Sequence, residues 1–218
     1  MNCCSSTDPI TAQFDRRLAE QDLRRYRQRG PDATTRLLLG ELRRWSLRDA
    51  ALLDVGGGIG VIGAELAGVV RSVIHLEAAP AYADVARREL GQRLGVARVH
   101  FLEGDFVGMA TAVPEVDVVT LDRVVCCYPD VDALLKAAAA KARRLLAFSY
   151  PRARWYIRLY VWVQNQYRRL GGNPYRGFVH APARMAEVLK RAGLRRSSRR
   201  GTLAWIVDLY ERPGAARP

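Results

Sequence analysis

The chain has 218 residues, of which 49% are hydrophobic and 26% charged, and its formal charge of +13 gives a pI near 10.2. That length suits one domain whose core needs no disulfide or metal to hold it together. The composition excludes a disordered chain, a collagen-like repeat and a disulfide-framework mini-protein.

Two helices are predicted ahead of the main apolar pattern. A polar, charged helix is expected over residues 11–29, and Gly30-Pro31-Asp32 ends it. Asp32 is expected to cap a second helix that reaches about Trp45, because leucines recur at helical spacing after it. These residues predict a helical N-terminal extension.

Short apolar runs then alternate with longer amphipathic stretches. Strands are predicted over residues 51–55, 72–76, 99–102, 116–121 and 145–149. Helices are predicted up to about residue 69 and over 80–94, 132–144 and 182–192. A last strand over 203–210 is expected to pair with 194–198 across a turn at 199–201. This α/β rhythm predicts a Rossmann-like, seven-stranded, mostly parallel sheet with one antiparallel strand and helices on both faces.

A glycine-rich loop follows the first predicted strand, in the sequence L-L-D-V-G-G-G-I-G over residues 52–60. Glycines permit positive φ angles and let a ligand approach the backbone, and the following helix offers free N–H groups. The consecutive Gly56, Gly57 and Gly58, together with Gly60, exceed what a tight strand-to-helix turn requires. We therefore expect a ligand at this loop.

Two ligand classes compete for the glycine loop. Gly58-x-Gly60-x-x-Gly63 fits the pattern of nicotinamide dinucleotide sites, whereas Asp54-x-Gly56-x-Gly58-x-Gly60 fits a second pattern. An acid at the strand end would repel a pyrophosphate, but it suits a ligand that carries a cationic amino-acid group. The position of Asp54 therefore favours the second class.

Acidic residues also follow the second and third predicted strands. Glu77 can accept hydrogen bonds from ribose hydroxyls, which suits NAD and S-adenosylmethionine equally. Asp105 can accept from an adenine amino group while Phe106 lines the pocket. Taken singly, each acid is as readily a solvated loop carboxylate. Acids at successive strand ends argue against coincidence, because ligands bind at that edge of an open α/β sheet.

The chain resembles the class I S-adenosylmethionine-dependent methyltransferases over about residues 52–151, on Asp54-x-Gly56-x-Gly58-x-Gly60, Glu77 and Gly104-Asp105-Phe106. The resemblance implies that the glycine loop underlies the methionine part of the cofactor. It implies that Glu77 holds both ribose hydroxyls and that Asp105 and Phe106 hold the adenine. Asp122, after the fourth strand, would order the methionine end or a substrate hydroxyl, or else form a salt bridge with Arg123.

The resemblance implies a methyltransferase with S-adenosyl-L-methionine as cofactor. No metal site is predicted, because no His-Cys cluster with metal-ligand spacing is present in the sequence. We expect a small-molecule acceptor with aromatic or apolar bulk. Nucleic acid is disfavoured, because the fourth strand lacks a following N-P-P-Y motif and few aromatics interleave with the spread basic residues. The alternatives are an RNA or polyanion methyltransferase, a non-catalytic cofactor-binding scaffold and an NAD-dependent oxidoreductase.

No catalytic residue is predicted for this chain. His180 is the best candidate for a general base, although an ordinary surface-loop histidine is the better expectation. The whole-chain pattern, including F-D-R-R-L-A-E near the start, also loosely resembles the magnesium-protoporphyrin O-methyltransferases. The glycine loop and acids do not distinguish that subfamily from its relatives.

Residues 152–172 predict an amphipathic helix rich in Trp, Tyr and Arg. It is interpreted as a lid over an apolar substrate, as a helix packing on the domain, or as an interfacial membrane helix, and we favour the lid. The whole chain is predicted to be a single methyltransferase domain. Its expected parts are a helical extension, a cofactor-binding core, an insertion or lid, and a C-terminal helix with a hairpin, at residues 1–48, 49–151, 152–181 and 182–218.

The cysteines form two adjacent pairs, Cys3–Cys4 and Cys126–Cys127, and neither has the C-x-x-C spacing of a metal or redox site. We interpret them as reduced thiols. No apolar run approaches the roughly 20 residues of a membrane span, and the first residues lack the features of a signal peptide. The sequence therefore predicts a cytoplasmic protein without a transmembrane segment, and it leaves the oligomeric state open.

Overall fold

A seven-stranded sheet forms the centre of the protein in a computed structural model that describes residues 7–214, so Cys3 and Cys4 lie outside the described residues. The strands are β1 (Ala51–Val55), β2 (Ser72–Glu77), β3 (Val99–Glu103), β4 (Val116–Leu121), β5 (Ala142–Pro151), β6 (Arg195–Gly201) and β7 (Trp205–Glu211). Their order across the sheet is β3-β2-β1-β4-β5-β7-β6.

The first five strands are parallel, and β7 runs antiparallel to both β5 and β6. The strand order reverses at β1, where Leu53 pairs with Ile74 on one side and Val119 on the other. The carboxyl ends of β1 to β4 therefore meet at one edge, where such sheets bind ligands. The predicted Rossmann-like, mostly parallel sheet with one antiparallel strand is confirmed.

Helices cover both faces of the sheet. They are α1 (Thr7–Gln13), α2 (Arg16–Arg29), α3 (Ala33–Leu42), α4 (Val61–Glu65), α5 (Pro80–Leu94), α6 (Phe106–Met109), α7 (Val131–Lys141), α8 (Trp155–Leu170) and α9 (Pro182–Arg191). Leu52 faces the apolar layer beneath α2, α3 and α5, and Leu53 faces the layer beneath α7 and α9. Burial on both faces explains why β1 is a continuous apolar run rather than an alternating one.

The N-terminal helix predicted over 11–29 is wrong in one respect, because two helices replace it. The chain turns at Phe14 and Asp15 between α1 and α2. Asp15 is the N-cap of α2, and its Oδ1 accepts a hydrogen bond from the backbone N–H of Leu18 at 2.8 Å. A capping aspartate begins a new helix, so the polar stretch is not one continuous element.

The turn predicted at 199–201 is also wrong, because β6 continues through those residues. Arg199 pairs across the strands with Asp208, its Nε donating to Oδ1 at 2.7 Å. The turn instead lies at 202–204, where Thr202 N–H donates to the carbonyl of Trp205 at 2.9 Å. The helix predicted over 132–144 ends at Lys141, and Arg143 and Arg144 lie in β5.

No helix within residues 7–214 combines the length and apolarity that a membrane crossing requires. The boundaries predicted at residues 48, 151 and 181 stay predictions. The element order nevertheless brings the glycine loop and the acids at four strand ends to one edge of the sheet. That edge is where the candidate site lies.

Candidate functional site

A cleft with two lobes opens at the carboxyl edge of β1 to β4. The larger lobe has a volume of about 270 Å³ and the smaller one about 140 Å³. The two lobes share the lining residues Asp22, Gly56, Gly58, Tyr82, Asp122 and Arg123. They therefore form one continuous binding region, with the glycine loop as its floor.

The glycine loop has a shape that other residues would not allow. Gly56, Gly58 and Gly60 have φ angles of 58°, 58° and 84°, a region that side-chain-bearing residues rarely adopt. A Cβ atom on Gly56 would lie 2.5 Å from Cγ2 of Val124. The loop backbone is therefore pressed against the protein on one side and open to the cleft on the other.

Position 57 requires glycine for a separate reason, which is lack of space for a side chain. A Cβ there would lie 2.5 Å from Nδ1 of His75 and 2.7 Å from Oδ2 of Asp54, both closer than atoms in contact can approach. Gly57 N–H donates to the carbonyl of Leu76 at 3.2 Å, which ties the loop to β2. The loop thus rests directly on two buried polar side chains.

Asp54 lies at the end of β1 with only one carboxylate oxygen satisfied. Thr120 Oγ1 donates to Asp54 Oδ1 at 2.7 Å, whereas Oδ2 is sealed from solvent and has no partner among the described residues. Burial raises the pKa of Asp54 from an ordinary 3.8 to about 7. A carboxyl group that titrates near neutrality therefore lies under the loop.

His75 is the other side chain beneath Gly57. Neither of its ring nitrogens makes a hydrogen bond within residues 7–214. Burial lowers the pKa of His75 from 6.5 to about 4, so the ring is neutral at physiological pH. The burial of His75 in β2 indicates a structural role for this side chain.

Glu77, at the end of β2, holds the loop from the other side. Its Oε2 accepts from Gly58 N–H and its Oε1 from Ala79 N–H, each at 2.8 Å. Each carboxylate oxygen keeps a second lone pair for a ligand donor. Burial raises the pKa of Glu77, although the backbone donors of Gly58, Ala78 and Ala79 oppose the shift. Glu77 both shapes the loop and lines the larger lobe.

Asp105 and Phe106 follow β3 and line the far wall of the larger lobe. Asp105 is the N-cap of α6, and its Oδ2 accepts from Gly108 N–H at 3.0 Å and from the Tyr128 hydroxyl at 3.2 Å. Phe106 is buried in the core and also lines the lobe. Tyr128 was not predicted, and it supplies a hydroxyl and a ring at this wall.

Asp122 follows β4 and is shared by both lobes. Thr35 Oγ1 donates to Oδ2 at 2.6 Å and Ser149 Oγ donates to Oδ1 at 2.5 Å. Burial raises the pKa of Asp122. The alternative salt bridge between Asp122 and Arg123 does not form, because Arg123 pairs with Asp32 instead. Asp122 is thus held in place by hydroxyls from α3 and β5.

The N-terminal helices supply the cover of the cleft, which the sequence did not predict. Ile10 and Phe14 line the larger lobe, and Phe14 packs edge-on against Tyr82 at 5.6 Å between ring centroids. The Tyr82 hydroxyl donates to Asp22 Oδ2 at 2.8 Å. No sequence motif marks these residues, so only the fold shows that the first two helices close over the strand ends.

Adjacent thiols lie at the rim of the cleft. Cys126 and Cys127 have sulfur atoms 3.6 Å apart, and Cys127 lines the larger lobe. The Tyr175 hydroxyl donates to Cys127 Sγ at 2.9 Å, and the hydrogen bond from Cys126 lowers the pKa of the Cys127 thiol. The interpretation of this pair as reduced thiols agrees with their being free cysteines.

The helix interpreted as a lid does not roof the cleft in this structure. Neither lobe has a lining residue from α8, and the side chains of Trp155, Trp162 and Tyr167 are exposed. His180 does not line the cleft either, because its Nε2 is bonded to the carbonyl of Tyr128 at 2.9 Å. Burial lowers its pKa.

The predicted site residues are brought together around one cleft. Lining residues among them are Asp54, Gly56, Gly57, Gly58, Glu77, Asp105, Phe106 and Asp122. Gly60 lies beneath the loop instead, where a Cβ would be 2.9 Å from Cγ of Leu90. The assignment of these residues to parts of a cofactor stays a prediction.

Residues 53–145 match the family model of a methyltransferase domain. Curated protein sequences include no match to this chain. The matched segment begins in β1 and ends in β5, so it contains the glycine loop and all the acidic strand ends.

Solved structures of methyltransferases share the fold. Magnesium protoporphyrin IX methyltransferase from Synechocystis PCC 6803, solved with bound S-adenosylhomocysteine, superposes with a TM-score of 0.70 at 17% identity, over 95% of this chain and 99% of that one. An O-methyltransferase family protein from Burkholderia thailandensis gives 0.69 at 16%, over 92% and 61%. A TehB-like S-adenosylmethionine-dependent methyltransferase from Corynebacterium glutamicum gives 0.63 at 15%, over 90% and 97%.

Proposed function

We propose that the chain is a class I S-adenosylmethionine-dependent methyltransferase that transfers a methyl group from that cofactor to a small molecule with aromatic or apolar bulk. The match of residues 53–145 to a methyltransferase domain model and the fold shared with solved methyltransferases support this proposal. The cofactor is S-adenosylmethionine, whose sulfonium supplies the reactive methyl group. The protein's contribution is to hold cofactor and acceptor in line, which is a proximity effect that requires no nucleophilic side chain.

The residues of the cleft fit this cofactor. The unpartnered Oδ2 of Asp54 is a buried acceptor beneath a backbone cradle that a Cβ on Gly57 would fill. A ligand with positive charge near this loop would stabilise the ionised form of that carboxyl group. Glu77 would hold the ribose hydroxyls with its remaining lone pairs, and Asp105 with Phe106 would hold the adenine.

Charge in the cleft is the observation that carries the choice of acceptor. Six acids line the two lobes, namely Asp22, Asp32, Asp54, Glu77, Asp105 and Asp122, whereas only two arginines do. Both arginines are already paired, Arg25 with Asp22 and Arg123 with Asp32. A polyanionic acceptor would be repelled here, although the chain as a whole is basic.

The apolar wall of the larger lobe supports the same choice. Ile10, Phe14, Val124 and Tyr128 contribute aliphatic and aromatic surface beside the acids. A pocket of this kind, mostly apolar with a few fixed polar groups, is typical of small-molecule sites. Beside the ribose and adenine of the cofactor, this apolar surface suits an uncharged or cationic acceptor with a flat or branched apolar body.

Methyl transfer into a fractionated cell extract tests the proposal. The protein is incubated with S-adenosylmethionine labelled in its methyl group, and the label is followed into small-molecule, RNA and protein fractions. We expect label in the small-molecule fraction, unchanged by ribonuclease or added salt and lost in Glu77→Ala. Glu103→Ala is the matched control, since Glu103 pairs with Glu77 in register but is more exposed and lines neither lobe.

Each other outcome overturns the proposal in a defined way. Label in RNA would identify a polyanion acceptor. S-adenosylhomocysteine binding without incorporation into any fraction would identify a cofactor-binding scaffold.

A further inference from the structure

The α8 helix presents a large apolar surface to solvent. None of its 16 residues is buried, and Trp155, Trp162 and Tyr167 are 75%, 58% and 79% exposed. With 100° between successive residues, the exposed large side chains cover an arc of about 160°. They are Trp155, Tyr156, Leu159, Tyr160, Trp162, Val163, Tyr167 and Leu170. Patches of this kind mark interaction sites on soluble domains.

The opposite side of α8 is fixed to the protein, so the exposed arc has a defined direction. Asn165 Nδ2 donates to the carbonyl of Gly177 at 2.8 Å, and Gly177 N–H donates back to Asn165 Oδ1 at 2.9 Å. The Arg168 guanidinium lies 5.0 Å from the ring centroid of Tyr175. The helix therefore cannot rotate its Trp and Leu side chains inward without breaking these contacts.

Charge around α8 is of one sign. Residues 133–186 contain no Asp or Glu, although they contain 11 Lys and Arg. Arg154, Arg158 and Arg169 have no carboxylate partner among residues 7–214, unlike the arginines of α2 and α5 that pair across to acids. An acid-free, arginine-bearing segment beside an apolar arc complements an anionic surface.

The apolar surface continues beyond the helix. Leu203, in the turn between β6 and β7, is 92% exposed. That turn lies next to the start of α8, because Arg152 N–H donates to the carbonyl of Ala204 at 2.8 Å. One face of the protein therefore presents Leu203, Trp155 and the rest of the arc.

We propose that α8 lies flat on an anionic lipid bilayer, with its Trp and Leu arc in the headgroup region and Arg154, Arg158 and Arg169 facing lipid phosphates. Amphipathic helices with Trp and Leu on one face and Arg beside it bind in this way, without crossing the membrane. Leu159, Val163 and Leu170 insert into lipid but cannot stack on nucleic-acid bases, which favours lipid over RNA. Self-association through this face is disfavoured, because a second copy would bring unpaired arginines together.

Vesicle co-sedimentation of the full chain tests this proposal. The vesicles are phosphatidylcholine alone or phosphatidylcholine mixed with phosphatidylglycerol. We expect binding to the mixed vesicles only, weakened by added salt, together with a blue shift of tryptophan fluorescence. In Trp155→Gln/Trp162→Gln, binding is expected to fall and the blue shift to disappear, because the tryptophans that enter the headgroup region have been removed.

Charge variants distinguish attraction between the α8 arginines and the membrane from a general effect of the protein's net positive charge. Arg154→Gln/Arg158→Gln/Arg169→Gln is expected to lower the partition coefficient about 100-fold, from the usual contribution of each arginine near an anionic membrane. The matched control is Arg17→Gln/Arg24→Gln/Arg29→Gln on α2, which removes the same charge from exposed positions. It is expected to bind nearly as tightly as the wild type. Thermal unfolding and S-adenosylhomocysteine affinity, unchanged in every variant, show that each is folded.

Three results would overturn the membrane proposal. The first is no binding to the mixed vesicles. The second is equal loss of binding in the two triple-arginine variants, or full retention of binding in the tryptophan variant. Either result would show that net charge alone drives binding, as it would for a polyanion such as RNA. The third is a lipid-free dimer that the tryptophan substitutions dissociate.

Discussion

Asp54 and His75 lie in register on the neighbouring strands β1 and β2, and Gly57 rests on both side chains. Both residues are 1% exposed, and each has polar atoms without a hydrogen-bond partner within the described residues. Burial pushes their pKa values in opposite directions, so both groups tend towards their neutral forms. The buried pair beneath the glycine loop is therefore uncharged when Asp54 is protonated, and it gains a negative charge when Asp54 ionises.

Gly57→Ala should disrupt this floor. The added methyl group would overlap His75 and Asp54, so we expect a loss of about 1–3 kcal/mol in the free energy of unfolding and at least a tenfold loss of S-adenosylhomocysteine affinity. Gly68→Ala is the control, because a Cβ there meets nothing within 4 Å. Chemical denaturation and calorimetry measure both effects. Equal behaviour of the two variants would show that the loop does not rest on this pair.

Asp54→Asn should stabilise the free protein at high pH. The raised pKa means that the folded state holds the Asp54 proton more tightly than the unfolded state does, so this contribution is full below pH 3.8 and is lost as pH rises through about 7. Asparagine has no such loss. At pH 8 we expect the variant to be more stable than the wild type by about 2–4 kcal/mol, with no such gain near pH 4. A variant that is less stable at pH 8 would contradict the protonation state assigned to Asp54.

Cofactor binding should depend on the same ionisation. A sulfonium or ammonium group near Asp54 favours the carboxylate, so affinity of the wild type for S-adenosylmethionine is expected to fall as pH drops below about 7. Calorimetry in buffers of different ionisation enthalpy should detect proton release on binding near pH 6. Asp54→Asn should remove both the pH dependence and the proton release. If they persist in that variant, another group is responsible.

Cys127 should be protected from alkylation by the bound cofactor product. Its thiol lines the larger lobe and its pKa is lowered by the hydrogen bond from Cys126, so it is expected to react first within this pair. Peptide mapping after N-ethylmaleimide treatment would identify the labelled residue. We expect S-adenosylhomocysteine to slow labelling of Cys127, and equal rates with and without it would place the ligand elsewhere.

Phe14→Ala should weaken binding of the acceptor more than binding of the cofactor. The Phe14 ring packs against Tyr82 and Tyr175, with centroids 5.6 and 5.5 Å away, and lines the larger lobe. We expect KM for the acceptor to rise at least fivefold while S-adenosylhomocysteine affinity changes less, as is usual when one wall of an apolar pocket is removed. Arg17→Ala, on the exposed side of α2, is the control. The opposite pattern would assign this wall to the cofactor.

The positions of the strands and the ligand-binding edge of the sheet could be predicted from sequence because their signals are local. A buried run, a glycine loop and a terminal acid lie within a few residues of one another, as in Asp54 to Gly60. The cover of the cleft could not be predicted, because Phe14 and Thr35 reach it only through folding. Thr35 bonds to Asp122 from 87 residues away.

The direction of α8 could not be predicted for a different reason. An amphipathic pattern is the same whether the apolar arc faces the domain or solvent. The positions of Trp155 and Trp162 in the sequence therefore do not distinguish a lid from a helix whose apolar arc faces solvent. The hydrogen bonds between Asn165 and Gly177 hold the polar side of the helix against the protein, so the apolar arc faces solvent. The hairpin turn was misplaced because Gly201 is a typical turn residue, whereas Arg199, Arg200 and Gly201 all pair with β7 and Arg200 also bonds to Glu41.

The most direct test of the central claim is a calorimetric titration of the wild type, Glu77→Gln and Glu103→Gln with S-adenosylhomocysteine and, separately, with NADH. We expect that S-adenosylhomocysteine binds and NADH does not, that Glu77→Gln weakens binding by about 1–3 kcal/mol, and that Glu103→Gln leaves it unchanged. Binding of NADH without S-adenosylhomocysteine, or equal affinities of the two variants, would contradict it.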